Sequence, residues 1–154
     1  MSPGPQKAES AQEPNMGVLL REPFRIGSEL LHEHFAAHGH PDVRAPHGNV
    51  MQFLDDEGSR VSDLARRAQI TKQSMAELVG HLERHGYVER VPDPNDRRAK
   101  LVRTTAKGRE LHRTARAFVA HLEDRWGQRL GKEKMKQLKE LLAELNRVVD
   151  ESER

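Results

Sequence analysis

Residues 62–104 place two helix starts close together and follow them with a charged turn. This order constrains the fold more than any other feature of the chain. Ser62 is an N-cap candidate for a short helix holding Leu64, Ala65 and Ala68. Ile70 breaks that pattern, and Thr71 offers a second N-cap. Ile70 before the cap and Met75 at the fourth helical position make a hydrophobic staple, which fixes the angle of entry into the helix. Two helices joined by so short a turn at a set angle predict a helix-turn-helix. In the second helix Met75, Leu78, Val79 and Leu82 fall at i, i+3, i+4 and i+7, a stripe that must face a core. Gln73, Glu77, Gly80 and Arg84 then face away, and Gly86 is placed to end the helix. Tyr87–Val91 alternates as a strand, 93–97 reads as a turn, and 99–103 returns as a second strand. The unit is a winged helix-turn-helix with DPNDRR (93–98) as the tip of its wing.

The flanks are helical. Residues 1–15 hold three prolines and almost nothing apolar, and are expected to be a disordered tail. A helix is expected from Met16 to about His38, kinked or broken at Pro23. Pro46 is placed to start a helix carrying Val50, Phe53 and Leu54. A long helix is expected over 107–128, with Leu111, Ala115, Phe118, Val119 and Leu122 near one face. Gly131 separates it from a second helix over 132–149, whose stripe includes Met135, Leu138, Leu141, Leu145 and Val148. That stripe has little of its own monomer left to cover. It is expected to pack on a partner subunit together with the N-terminal helix; the alternative is that it folds back onto the preceding helix. The predicted fold is mainly α with a small β-hairpin wing. It comprises an N-terminal dimerisation helix (16–40), a DNA-binding lobe (46–104) and C-terminal dimerisation helices (105–150).

Composition removes several classes of function. The chain has no cysteine, so disulfides, thiolate metal sites and thiol redox sensing are excluded. Aromatic residues make up only 4%, which argues against a large aromatic-lined cavity. No apolar run reaches membrane-span length and no signal-peptide pattern opens the chain, so a cytoplasmic protein without a membrane partner is expected. Glycine-rich phosphate loops, HExxH and a serine elbow are absent, which argues against an enzyme. The formal net charge is only +2, but between Arg97 and Arg116 eight Lys/Arg face a single acidic residue, Glu110. Such a block is either a solvated helix face or the footprint of a polyanion.

An arginine pair on a hairpin suits the DNA minor groove, which is narrow and strongly negative. Arg98 is the candidate for insertion, with Asp96 close enough in sequence to steady its guanidinium, and Arg97 and Lys100 are candidates for phosphates. The helix after Thr71 is the major-groove reader. Its first turn offers backbone N–H groups to a phosphate, and Lys72, Gln73, Ser74 and Glu77 carry groups that reach phosphates or base edges.

The segment SDLARRAQITKQSMAELVGHLERHGYVERVPDPNDRRAKLVRTTAKGREL (62–111) resembles the DNA-binding core of MarR-type transcriptional regulators. The resemblance is carried by Asp96-Arg97-Arg98 in the wing, by Thr105 with Gly108-Arg109 after it, and by LxxLExxGYVER from Leu78 to Arg90. Thr104 stands where the family usually has Leu. The resemblance implies a homodimer straddling a palindromic operator on double-stranded DNA. It also implies repression relieved by a small aromatic or phenolic effector, bound without a cofactor between the dimer helices and the DNA-binding lobe. Phe35, His47 and Met51 are the candidate pocket residues, with His47 the candidate contact for an anionic ligand. His32, His34, His38, His40 and His47 form a cluster in which His34 and His38 are spaced to share a helix face. A zinc-type metal sensor is the alternative that this cluster raises. A ligand-independent architectural DNA-binding protein is another.

Overall fold

The structure is a computed structural model and describes residues 13–152. The expected disordered tail lies almost wholly outside the described residues. The elements are α1 (Met16–Ala37), a 3-10 turn (Ala45–His47), α2 (Gly48–Met51), α3 (Val61–Arg67), α4 (Lys72–Arg84), β1 (Val88–Asp93), β2 (Asp96–Thr104), α5 (Ala106–Leu130) and α6 (Lys132–Ser152). The core of the lobe gathers Val50, Leu64, Met75, Val79, Leu82 and Tyr87, each with no exposed surface. Leu78 packs half-buried at its margin. The staple is present in this packing: Met75 is buried, and Ile70 lies against the same core.

Three local expectations change. Pro23 lies inside an unbroken α1. Proline removes one helical hydrogen bond, and Arg25 bridges Glu22 and Glu29 (3.0 and 2.8 Å) across that region, tying its surface turns together. Ser62 is not the cap of α3; Arg60 is, in extended conformation and with no side-chain cap bond. The reason is the segment before it: Ser59 pairs with Val102 through two backbone hydrogen bonds of 2.9 and 2.8 Å. The chain therefore remains extended through residue 60, adding a short third edge to the wing. The helix expected after Pro46 is only a 3-10 turn and one α turn. Phe53 N–H bonds back to the Val50 carbonyl (3.2 Å), so the turn tightens, and Phe53 and Leu54 pack on the core from outside the helix.

The hairpin strands are longer than expected. β1 and β2 pair antiparallel from Val88↔Thr104 to Asp93↔Asp96, leaving Pro94 and Asn95 as the turn. Thr71 caps α4 by accepting from Ser74 N–H (3.1 Å), and Gly86 takes the left-handed conformation (φ 80°) just past its end. Between α3 and α4 the chain turns through Gln69 at φ 55°, a conformation that non-glycine residues rarely adopt.

Gly131 (φ 102°) separates α5 from α6 as expected. α6 turns back along α5, with Met135 against Gly127 and Lys139 paired with Glu123. No residue of α6 with a described side chain is buried. Leu141 remains 64% exposed, and Phe24 on α1 77% exposed. The fold-back is thus real but partial, and wide apolar faces on α1 and α6 stay open.

α5 begins at a tight joint. Thr105 caps it by accepting from Gly108 N–H (3.2 Å), and Thr105 N–H bonds to the Tyr87 carbonyl (3.1 Å). A Cβ on Gly108 would lie 2.2 Å from that carbonyl oxygen and 2.7 Å from the Thr104 methyl. Gly108→Ala is therefore expected to destabilise the fold by about 1–3 kcal/mol through overpacking. Chemical denaturation measures this, and an unchanged midpoint would show that the joint is looser than described.

Candidate nucleic-acid interface and effector cavity

The start of α4 presents Lys72, Gln73, Ser74 and Glu77 exposed on its surface, with Thr71 exposed at the cap. These residues are partly organised among themselves. The Thr71 hydroxyl donates to Ser74 Oγ (2.8 Å), and the Gln73 amide reaches Glu77 Oε1 (3.5 Å). Lys72 has no ion-pair partner among the described residues. The result is a helix start with a free ammonium group and a fixed set of polar side chains.

The wing arginines are not at the tip. Pro92 pairs with Lys100 while Asp93 pairs with Asp96, so Arg97, Arg98 and Ala99 are extra residues in β2 with no counterpart in β1. An irregularity of this kind bends the strand and re-aims its side chains. Arg97, Arg98 and Lys100 are exposed, and none has an ion-pair partner among the described residues.

Asp96 does not hold the Arg98 guanidinium as expected. Its Oδ1 accepts from the Arg98 backbone N–H (3.0 Å), and its Oδ2 lies 3.5 Å from Arg60 Nη2. A carboxylate two residues upstream is well placed for a backbone N–H, and this closes a small ring that the longer arginine head would not. Asp93 is buried and accepts from Asn95 N–H (2.9 Å) and Arg60 Nε (2.8 Å). The Asn95 backbone bond, then the Arg60 side chain, hold the Asp93 carboxyl below the usual carboxylate range. Arg60, at the start of α3, thus ties the wing turn to the helix-turn-helix. Sequence reading missed it because 33 residues separate it from Asp93 and no local pattern links them.

A cavity of about 620 Å³ opens between α1, α2 and α5. Phe35 and Met51 line it as expected, together with Leu31, Val43, Leu111 and Ala115. Against the expectation from low aromatic content, Phe24, Phe35 and Trp126 line it beside aliphatic side chains from several elements, so the few aromatic residues of the chain are concentrated here. His47 is not on this wall. It is buried, its Nδ1 accepts from Arg44 N–H (2.9 Å), and its ring stacks on His81 at 4.2 Å, with His85 beyond at 4.3 Å from His81. Burial first, then His81 and His85, push the His47 pKa down to about 4, so it is neutral near pH 7 and unsuited to an anion. Two histidines face the cavity: His32 on α1, a member of the histidine cluster, and His112 on α5, which the sequence did not single out. Burial, then Arg116, lower the His112 pKa.

His34 and His38 share a helix face, but their rings stack at 3.8 Å, and His38 Nδ1 bonds to the His34 carbonyl (2.8 Å). Parallel rings direct their nitrogens alongside one another rather than toward a shared point. Among the described residues no group of three or more His, Asp or Glu is placed to hold a metal.

The His47 stack has a consequence for acid stability. Its folded pKa lies below the unfolded value, so the stability that it contributes is present above about pH 6.5 and is lost as the pH falls toward 4. Denaturation midpoints at pH 7 and pH 4.5 are expected to differ less in His47→Phe than in the parent chain. Equal pH slopes would remove His47 from the acid response.

A model of the MarR family matches residues 42–99. The regulator FarR of Neisseria gonorrhoeae is 33% identical over 102 residues, covering 66% of this chain and 70% of that protein. The transcriptional activatory protein BadR of Rhodopseudomonas palustris is 44% identical over 54 residues, and the match spans only 31% of its length. Among solved structures, CouR of Rhodococcus jostii RHA1, bound to p-coumaroyl-CoA, aligns with a TM-score of 0.64 at 25% identity, covering 85% of this chain and 91% of that one. Helix order, hairpin and wing motif agree with these likenesses, and the chain belongs to the MarR family of winged-helix, DNA-binding transcriptional regulators.

Proposed function

We propose that the chain acts as a homodimeric repressor that leaves a palindromic operator when a small apolar or aromatic ligand enters the cavity between α1, α2 and α5. One observation carries the DNA half of this reading: two unpaired arginines stand on an irregular strand whose turn is anchored to α3 through Arg60. A purely electrostatic contact has no use for acidic neighbours, whereas an aimed one does. Arg98 enters the minor groove, Arg97 and Lys100 meet phosphates, and Lys72, Gln73, Ser74 and Glu77 face the major groove. The exposed apolar faces of α1 and α6 supply the dimer contact. The apolar cavity favours a ligand-responsive regulator over an architectural protein, and the stacked His34 and His38 disfavour a metal sensor. Among the described residues no helix is long and apolar enough to cross a membrane, in keeping with a DNA-binding role in the cytoplasm.

Arg98→Ala is expected to cost roughly 1–3 kcal/mol of operator affinity with folding intact. Asp96→Ala is expected to weaken binding although it removes a negative charge, because the Arg98 backbone loses its anchor. Gel-shift titrations test both; unchanged affinity in the first or tighter binding in the second would refute the aimed wing. Leu141→Glu places a charge on the open face of α6 and is expected to shift sedimentation from dimer to monomer. A persistent dimer would place the interface elsewhere.

A further inference from the structure

Gly80 and Arg84 lie on the outer face of α4 with Gln73 and Glu77. The four follow one another at spacings of four, three and four, opposite the buried Met75, Val79 and Leu82. Glycine is a poor residue for a helix interior, and the backbone at Gly80 is ordinary helix, so no turn requires it there. A Cβ at Gly80 would lie 3.4 Å from Arg84 Nη1. A methyl group just fits in that space, and a longer side chain would take the place of the guanidinium. Helical side chains lean back toward the N-terminus, and Arg84 does so across the gap that Gly80 leaves.

Arg84 serves no structural partner. Its neighbour Glu83 pairs with Arg90 (3.1 Å). The carbonyls at the end of α4, which a C-terminal arginine would otherwise cap, are already taken. Those of His81, Leu82 and Glu83 accept from the N–H groups of His85, Tyr87 and Gly86. Arg84 is exposed and has no ion pair or hydrogen bond among the described residues. Its charge is therefore unspent, and its head lies over the face that carries Gln73 and Glu77. The Arg84 backbone stands about 18 Å from Lys72 along α4, beyond the major groove's width of about 12 Å. Folded back to Gly80, the guanidinium comes to about 12 Å from Lys72, within that width.

We infer that Arg84 reads a guanine in each operator half-site, its guanidinium reaching O6 and N7 through the gap at Gly80. This rests on the reading that α4 faces the major groove, and it adds a base and the residue that selects it. Guanine is the base whose major-groove edge shows two acceptors, and the guanidinium fork matches that pair. Adenine sets an amine donor beside its one acceptor, and that amine opposes a second N–H. Glu77, one turn nearer the N-terminus, disfavours a phosphate at the same spot. Its carboxylate, 3.5 Å from the Gln73 amide, repels an anion and leaves an uncharged base edge as the better partner.

Selection of bound duplexes from a pool randomised across two half-sites, followed by sequencing, tests this with the full-length chain, Arg84→Ala, Gly80→Leu and Gln73→Ala. Residues 73 and 84 are exposed and leucine is a good helix former, so the variants are expected to fold. The parent is expected to enrich a guanine at one position of each half-site, and Arg84→Ala and Gly80→Leu to lose it. In gel-shift titrations, guanine-to-adenine replacement at that position is expected to cost the parent about ten-fold or more in affinity and Arg84→Ala almost nothing. An unchanged base preference in Arg84→Ala overturns the inference. So does an equal loss on every sequence with a shallower salt slope, which marks a phosphate contact. A guanine preference kept by Gly80→Leu removes the gap from the mechanism. If Gln73→Ala alters the preference and Arg84→Ala does not, the groove reading of α4 stands and this inference alone fails. If neither alters it, or the parent enriches no sequence, both fail.

Discussion

The contact between Gly108 and the Tyr87 carbonyl is the point on which the arrangement of the molecule depends. A Cβ at Gly108 would overlap that oxygen at 2.2 Å, so α5 can lie this close to the start of the wing only with glycine there. Around the contact, Thr105 bonds to the backbone of Tyr87 and Gly86, and the Lys107 ammonium bonds to the His85 carbonyl (2.8 Å) while lying 4.4 Å from the Tyr87 ring. These bonds fasten the first turn of α5 to the end of α4. Tyr87 is itself fixed from the other side, its hydroxyl 3.1 Å from His40 Nδ1 in the loop after α1. Helices α4 and α5 and the wing therefore meet at one closely packed joint.

What the sequence made legible follows from the range of the interactions concerned. The α4 cap, its staple and its buried stripe were all readable because each is settled within a few residues: Thr71 with Ser74, Ile70 with Met75, and Met75 through Leu82. The hairpin, the long helices and the break at Gly131 were readable for the same reason. Motif resemblance reached the wing triplet and the Thr105–Gly108 pair, and the structure supplies the physical need for that glycine. What was not legible is non-local. The start of α3 moved because Ser59 pairs with Val102 across the wing. Asp96 turned to a backbone N–H and to Arg60, neither of which its spacing from Arg98 revealed. His47 looked like a pocket residue from its position in the chain, but its surroundings come from Arg44, His81 and His85. His112 went unremarked because nothing in its neighbourhood of α5 marks it, and only the approach of α2 puts it on a cavity wall.

The acidic residues of the wing show how charge and order are separated. Asp93 is buried, yet it is satisfied by one backbone N–H and by Arg60, so its cost of desolvation is offset by charge-assisted bonds. Asp96 fixes backbone rather than side chain. Both carboxylates act on the shape of the turn, and neither neutralises Arg97 or Arg98. The wing thus keeps its positive ends free while its backbone is held.

The same separation runs through the rest of the chain. Arg25, Arg60, Arg67 and Arg90 each pair with a carboxylate and sit where they tie one turn or element to another. Arg97, Arg98, Arg113 and Arg116 pair with none among the described residues. Paired arginines are structural, since their charge is already spent. Unpaired ones keep their full field; those on the wing and on the face of α5 just beyond its base stand close together, while Arg44, Arg84 and Arg147 are unpaired elsewhere among the described residues. A net charge of only +2 conceals this, because a sum over the chain counts spent and unspent charge alike. For a protein that meets a polyanion, the useful quantity is the number of cations left unpaired and where the fold puts them.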